Sequence, residues 1–222
     1  DELSAAVEQV KKSRLYRGQI HKGVLLEARD PIPYDPNGFP DPRLKSAADI
    51  ILKACGYSFL YSHQGTLIER LFEDKSVGLF IPRGAGRRTS LVLASAAYAV
   101  VKGKSVLILS RDDESAHKLA ARFPASLSRI VSSHFLEHEH ISAQLTTDII
   151  ISTPERLGRF LLRNYNEVKE WLSTLGLFAI SDITHFDSVQ LAHADALAEL
   201  ISCLVSGIEK IYYLVSGEPI NN

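Results

Sequence analysis

The strongest constraint on how this chain folds is an alternation that begins at Val77. Short apolar runs at residues 77–81, 105–109, 130–131, 148–151, 177–180 and 210–215 are separated by helix-patterned stretches at about 88–102, 112–122, 154–163 and 188–205. Continuous apolar runs of strand length belong to strands buried on both faces. Regular alternation with helices predicts an α/β fold with a parallel sheet covered on both sides. Ligands of such sheets bind beyond the carboxyl ends of the strands, so function is sought just after each run.

Ahead of the alternation the chain reads differently. Leu3, Ala6, Val7, Val10 and Arg14 have helical spacing over 3–16, and Pro31, Pro33, Pro36, Pro40 and Pro42 crowd the stretch 28–45. Proline lacks an amide donor and blocks both helix interiors and central strands. The reading is an N-terminal helical and proline-rich segment over 1–44 and a main domain over 45–222. A helix is expected from about Lys45 to Cys55, closed by Gly56, and another from Ser62 or His63 to Glu73.

Composition narrows the class. Hydrophobic residues at 45% and charged residues at 23% exclude wholesale disorder. Lys+Arg 25 against Asp+Glu 26 imposes no nucleic-acid partner and leaves room for a local basic patch. Cys55 and Cys203 lie far apart in apolar helical contexts, which fits a reducing, intracellular compartment. No apolar run reaches the roughly 18 residues a membrane helix needs, and the N-terminus does not resemble a signal peptide, so no membrane partner is expected. The chain starts at Asp1 and has no Met, and reads as a piece of something longer.

After the first run comes Pro82-Arg83-Gly84-Ala85-Gly86-Arg87-Arg88-Thr89-Ser90, then a helix. Strand, glycine turn and helix N-terminus together form a phosphate cradle, because glycines let backbone N–H groups approach an anion. A working P-loop adds Lys on the outer phosphates and Ser/Thr on Mg²⁺. Thr89 or Ser90 could serve the metal, but no Lys is present. One register places Arg88-Thr89 at the Lys-Thr pair; the other places Arg87 at Lys and Arg88 at the hydroxyl. A glycine turn that merely joins strand to helix explains the loop about as well.

The fifth run ends Ser181-Asp182-Ile183-Thr184-His185. Asp182 could hold a metal through water, although a cap or turn role accounts for a lone Asp more often. The fourth run leads into Ser152-Thr153-Pro154-Glu155-Arg156-Leu157. There Thr153 is a plausible cap, Pro154 suits the first turn and Glu155 the dipole. Alternatively, the helix start and Arg156 face a nucleic-acid phosphate.

Together these segments resemble the first RecA-like domain of a superfamily-two helicase of the DEAD/DEAH-box type, over about residues 45–222. Tyr61-Ser62-His63-Gln64 is similar to Y-x-H-Q, whose Gln reads adenine in that family. Gly84 to Thr89 stands at motif I, and Leu107-Ile108-Leu109-Ser110-Arg111 at motif Ia. Thr153-Pro154-Glu155-Arg156-Leu157 resembles T-P-x-R-L, motif Ib. Asp182-Ile183-Thr184-His185 stands at D-E-x-H, motif II, and Ser216-Gly217-Glu218 at S-A-T, motif III.

The resemblance implies a P-loop NTPase-type fold and an ATP site built from Gln64, Gly84, Gly86, Arg87, Arg88, Thr89 and Ser90. It also implies Mg²⁺ on Thr89 and Asp182, catalytic roles at Asp182 and His185, and nucleic-acid contacts at Arg111, Thr153, Pro154 and Arg156. A second RecA-like lobe is expected outside this chain. The departures bear on the expected activity. Motif I lacks its Lys, Ile183 replaces the motif II Glu, Glu218 replaces the motif III Thr, and Asp112, Asp113 and Glu114 follow Arg111. Positioning or base groups contribute about 10²–10⁴-fold. The expectation is a degenerate module whose ATP and Mg binding is weak or lost, with DNA or RNA as partner of the parent protein. An active ATP-binding lobe completed by the second lobe, and a structural module that binds another protein, are the alternatives.

Three other features carry less. His134, His138 and His140 with Glu137 and Glu139 have no metal-ligand spacing, so no structural metal is expected. Tyr57, Phe59 and Tyr61 alternate as if packing on a sheet, with base stacking the less favoured role. No G-x-S-x-G elbow supports a hydrolase triad.

Overall fold

Ser105–Leu109 is buried at every position. A strand in that condition must lie inside a sheet with helices above and below it, and every other element is arranged around this strand. The computed structural model describes residues 32–39, 41–124, 130–131, 148–205 and 211–219. The chain divides into two compact units, residues 1–31 and 32–222, and the second is described here. Its start at Ile32 precedes the 44/45 boundary read from the prolines. The helix expected over 3–16, together with Pro31, Pro40 and the histidines around His138, lies outside the described residues.

In chain order the elements are α1 (Pro42–Cys55), α2 (Ser62–Phe72), β1 (Val77–Phe80), α3 (Arg87–Lys102), β2 (Ser105–Leu109), α4 (Asp113–Ala120), β3 (Ile130–Val131), β4 (Ile149–Ser152), α5 (Pro154–Arg163), α6 (Tyr165–Ser173), β5 (Leu175–Ile180), α7 (Ser188–Val205) and β6 (Tyr212–Gly217). Six strands form one sheet in the order β1-β6-β5-β2-β4-β3. All five pairings are parallel. The α/β parallel architecture expected from the alternation is therefore present.

The period-two geometry of a strand divides the core. Val106, Ile108, Ile149, Ile151, Leu177 and Ala179 point to one face, where α1 to α4 pack. Leu107, Leu109, Ile150 and Phe178 point to the other, beneath α5, α6 and α7. α7 is the most apolar helix by length and composition. It seats Ala194, Leu197, Ile201 and Val205 on this layer and turns His193, Asp195 and Glu199 outward.

Several boundaries shift by one to three residues, and one helix is new. α1 begins at Pro42, because Asp41 accepts a hydrogen bond from the Arg43 N–H at 2.8 Å and proline is tolerated at a first helical position. α6 was not anticipated. Its apolar positions Val168, Trp171 and Leu172 are few, and they follow α5 with only Asn164 between.

The stretch ahead of α1 is tied to α2. The Tyr34 N–H donates to the Leu60 carbonyl, and the Ser62 N–H to the Ile32 carbonyl, both at 2.8 Å. The Tyr34 ring lies on Gly65, where a Cβ would stand 2.1 Å from ring carbon Cγ, and its hydroxyl donates to Glu69. Gly65→Ala should gain about 1 kcal/mol of helix propensity and lose about 1–3 kcal/mol to overpacking. A net loss is expected in urea titration. In a Tyr34→Ala background the same substitution should become stabilising.

Candidate phosphate site

The site is assembled at the carboxyl ends of β1, β6, β5 and β2. After β1 the chain turns through Gly84 and Gly86, whose φ values are +84° and +82°. Side chains disfavour that backbone region, so glycine is needed at both positions. Gly86 ends the turn and α3 starts at Arg87, with no side chain capping its first N–H groups. Ser90 is buried, and its hydroxyl donates to the Gly86 carbonyl at 3.0 Å. Thr89 lines the cavity.

After β5 the backbone turns sharply at Asp182, which adopts φ +57°, a conformation Asp tolerates better than most residues. Its N–H donates to the Ser216 hydroxyl at 3.2 Å. No side-chain cap forms on the short 3₁₀ turn Ile183–His185, so the carboxylate is not a helix cap. It is buried and turned toward α3. Its Oδ1 accepts from Arg87 Nε, and its Oδ2 accepts from Arg88 Nε at 2.9 Å. Arg87 also donates to the Ile81 carbonyl at 3.1 Å and lies 3.6 Å from Glu218. The Arg87 and Asp182 side chains are only 10% and 8% exposed, whereas Arg88 is 38% exposed.

Glu218, after β6, accepts from Arg83 and stands 3.1 Å from His185 Nε2. The Arg83 hydrogen bond holds its carboxyl below the usual 4.5, against burial and with help from His185. A carboxyl lowered in the folded state contributes stability above its unfolded value and loses it as pH falls through the folded value. The difference in urea midpoint between the parent and Glu218→Gln should therefore be present at neutral pH, begin to shrink as the pH falls past the ordinary glutamate value and vanish once it has passed the lower folded one.

Ile183 and Thr184 pack over Gly217, where a Cβ would stand 3.2 Å and 3.0 Å from their methyl groups. That crowding accounts for glycine at the end of β6.

Gln64 is buried, and its Oε1 accepts from the Tyr61 N–H at 2.9 Å. Its Nε2 lies 3.5 Å from where a Gly86 Cβ would be, so the glutamine props the glycine turn. Its neighbour His63 has Nε2 buried without a partner. Burial lowers the His63 pKa, and the Ala85 backbone opposes this.

Tyr57, Phe59 and Tyr61 do not pack on the sheet. They are 44%, 41% and 37% exposed, because they lie between α1 and α2 ahead of the first strand. Tyr61 meets Phe59 edge-on and stacks on His63.

The expected nucleic-acid residues form a separate group. Thr153 caps α5, accepting from the Arg156 N–H at 3.4 Å, and Pro154 begins it. Arg156 pairs with Asp113 at 2.7 Å and Arg111 with Asp112 at 2.6 Å. Asp112 also caps α4 through the Ser115 N–H at 2.7 Å. The acidic run after Arg111 thus holds the two arginines and starts a helix. Arg111 in addition reaches the cavity beside the glycine turn. That open cavity, of about 640 Å³, is lined by arginines 83, 87, 88, 111 and 122, with Asp182 as the one carboxylate among the described lining residues. Arg122, Ser115 and Ser181 also line it and carry no motif that could have singled them out. Among the described residues no three His, Cys, Asp or Glu side chains converge on a metal position.

No protein-family model and no curated protein matches the chain. Solved structures do. The crystal structure of the DUF1998 helicase MrfA bound to DNA and AMPPNP matches over 99% of this chain and 31% of its own, at 16% identity and a TM-score of 0.71. The DEAD-box helicase Mss116 bound to ssRNA and UDP-BeF matches over 83% and 40%, at 13% identity and 0.64. A hypothetical ATP-dependent RNA helicase from Sulfolobus tokodaii matches over 77% and 50%, at 16% and 0.51. The fold is that of a RecA-like helicase domain. This RecA-like domain spans about a third of the MrfA chain. The glycine turn lies after its first strand and Asp182 after its fifth, at the sheet edge where α/β folds bind ligands.

Proposed function

We propose that this chain is a degenerate, pseudo-ATPase RecA-like module of a larger helicase-like protein, binding nucleotide or nucleic acid without turning nucleotide over. The observation that carries this is the double capture of Asp182 by Arg87 and Arg88. A divalent ion at that carboxylate would have to displace two guanidinium groups and then sit beside them. Unit charges 4 Å apart near a protein surface interact by about 4 kcal/mol, so the charge already in place opposes Mg²⁺. Ile183, which stands where the motif has its Glu, has no group that could orient an attacking water.

The nucleic-acid face is not blocked in the same way. The pairs Arg156–Asp113 and Arg111–Asp112 are partly exposed, and exposed pairs are worth about 0–1 kcal/mol. A strand phosphate can therefore exchange for either carboxylate. The reading carries with it an intracellular setting and a second RecA-like lobe outside these 222 residues.

Release of inorganic phosphate from ATP and Mg²⁺, with single-stranded DNA or RNA present, tests the reading. None above the buffer rate is expected from this chain. Turnover that disappears in Asp182→Asn would establish the active ATP-binding lobe instead.

A further inference from the structure

We infer that the arginine-lined cavity binds a di- or triphosphate group free of divalent metal, with guanidinium groups where a nucleotidase would use a cation. The inference rests on the pseudo-ATPase reading and specifies the ligand of the same site. Among the described residues the cavity is lined by five guanidinium groups, from Arg83, Arg87, Arg88, Arg111 and Arg122, and one carboxylate, Asp182. Its volume of about 640 Å³ lies in the range of about 300–1,000 Å³ typical of small-molecule sites.

The charge in the cavity is only partly compensated: five guanidinium groups meet three carboxylates, and Arg111 pairs with Asp112 at 2.6 Å at a partly exposed position. Arg87 is committed to Asp182 and the Ile81 carbonyl. Arg88 gives Asp182 only its Nε, so its terminal nitrogens remain for an anion. Arg83 gives its Nε to Glu218 and is 75% exposed. Arg122 carries no ion pair among the described residues. A guanidinium presents a planar fork that matches two phosphate oxygens, and it holds them without a bridging metal. A di- or triphosphate brings several negative charges and spans more than one such fork. A single phosphate would meet only part of the array. The Mg²⁺ site is the part that does not fit, since both Asp182 oxygens already accept from guanidinium groups.

Calorimetric titration of the full chain with pyrophosphate, inorganic triphosphate and ATP, each in EDTA and in excess Mg²⁺, tests this. Binding in EDTA that weakens on adding Mg²⁺ is expected. Equal affinity for triphosphate and ATP would identify the phosphates as the whole determinant, and tighter ATP would add a base contact; both support the inference. Asp182→Asn should tighten binding in EDTA, because it releases two guanidinium groups, and Asn keeps the φ > 0 backbone accessible. Arg122→Ala, at an exposed position that leaves the fold intact, should weaken it roughly tenfold. Binding seen only with Mg²⁺, or lost in Asp182→Asn, overturns the inference. So does an oligonucleotide that binds while no polyphosphate does. Absence of both turnover and polyphosphate binding would sink the inference and leave the pseudo-ATPase reading standing; turnover would sink the reading itself.

Discussion

Phe178→Ala should lower the unfolding free energy by about 3–5 kcal/mol, the usual range for removing a buried phenylalanine. Phe178 is among the largest fully buried side chains and sits on β5, between β6 and β2. It projects into the layer formed by α5, α6 and α7, with the Tyr213 ring 5.8 Å away between centroids. Central strands hold their backbones on both sides, so the sheet cannot collapse into the vacated space and the cavity term is felt in full. Phe178→Leu keeps more of the volume and should cost less than half as much. Urea unfolding followed by circular dichroism measures both. Equal losses would mean that the layer closes around the smaller side chain.

Asp182→Asn should cost about 3 kcal/mol, at the lower end of what breaking a buried ion pair removes. The asparagine keeps the shape and the φ > 0 backbone but leaves Arg87, 10% exposed, with a neutral partner. Its remaining contacts, the Ile81 carbonyl at 3.1 Å and Glu218 at 3.6 Å, soften the loss. Arg88 is more exposed and turns to water. Pyrophosphate should recover part of this stability, since a ligand bound to the folded state alone adds about 2.7 kcal/mol at 100 times its Kd.

Much of the fold was legible because strands buried on both faces leave a plain mark. The run Ser105–Leu109 was located to the residue, and the glycine turn at Gly84 and Gly86 was placed correctly at the end of β1. α6 was not legible, since its three buried residues are too few to stand out from the end of α5. The aromatics at Tyr57, Phe59 and Tyr61 misled because alternation suggests a strand face, whereas here they lie in the connection between two helices. The central feature of the site was beyond sequence reasoning for a different reason. Arg87 and Asp182 are 95 positions apart, and they meet only because β6 alone separates β1 from β5 in the sheet. Spacing along a chain does not record that order. The sequence showed that a lysine was missing. It did not show that Arg87 closes on Asp182.

The most direct test of that closure is a double-mutant cycle with Arg87→Met and Asp182→Asn, read by urea unfolding at neutral pH. A coupling of about 2 kcal/mol or more is expected, with the double variant more stable than Asp182→Asn alone because neither charge is left buried without its partner. Additive losses, with coupling below about 0.5 kcal/mol, would show that the two side chains do not hold one another. Only Arg88 would then stand between Asp182 and a metal ion.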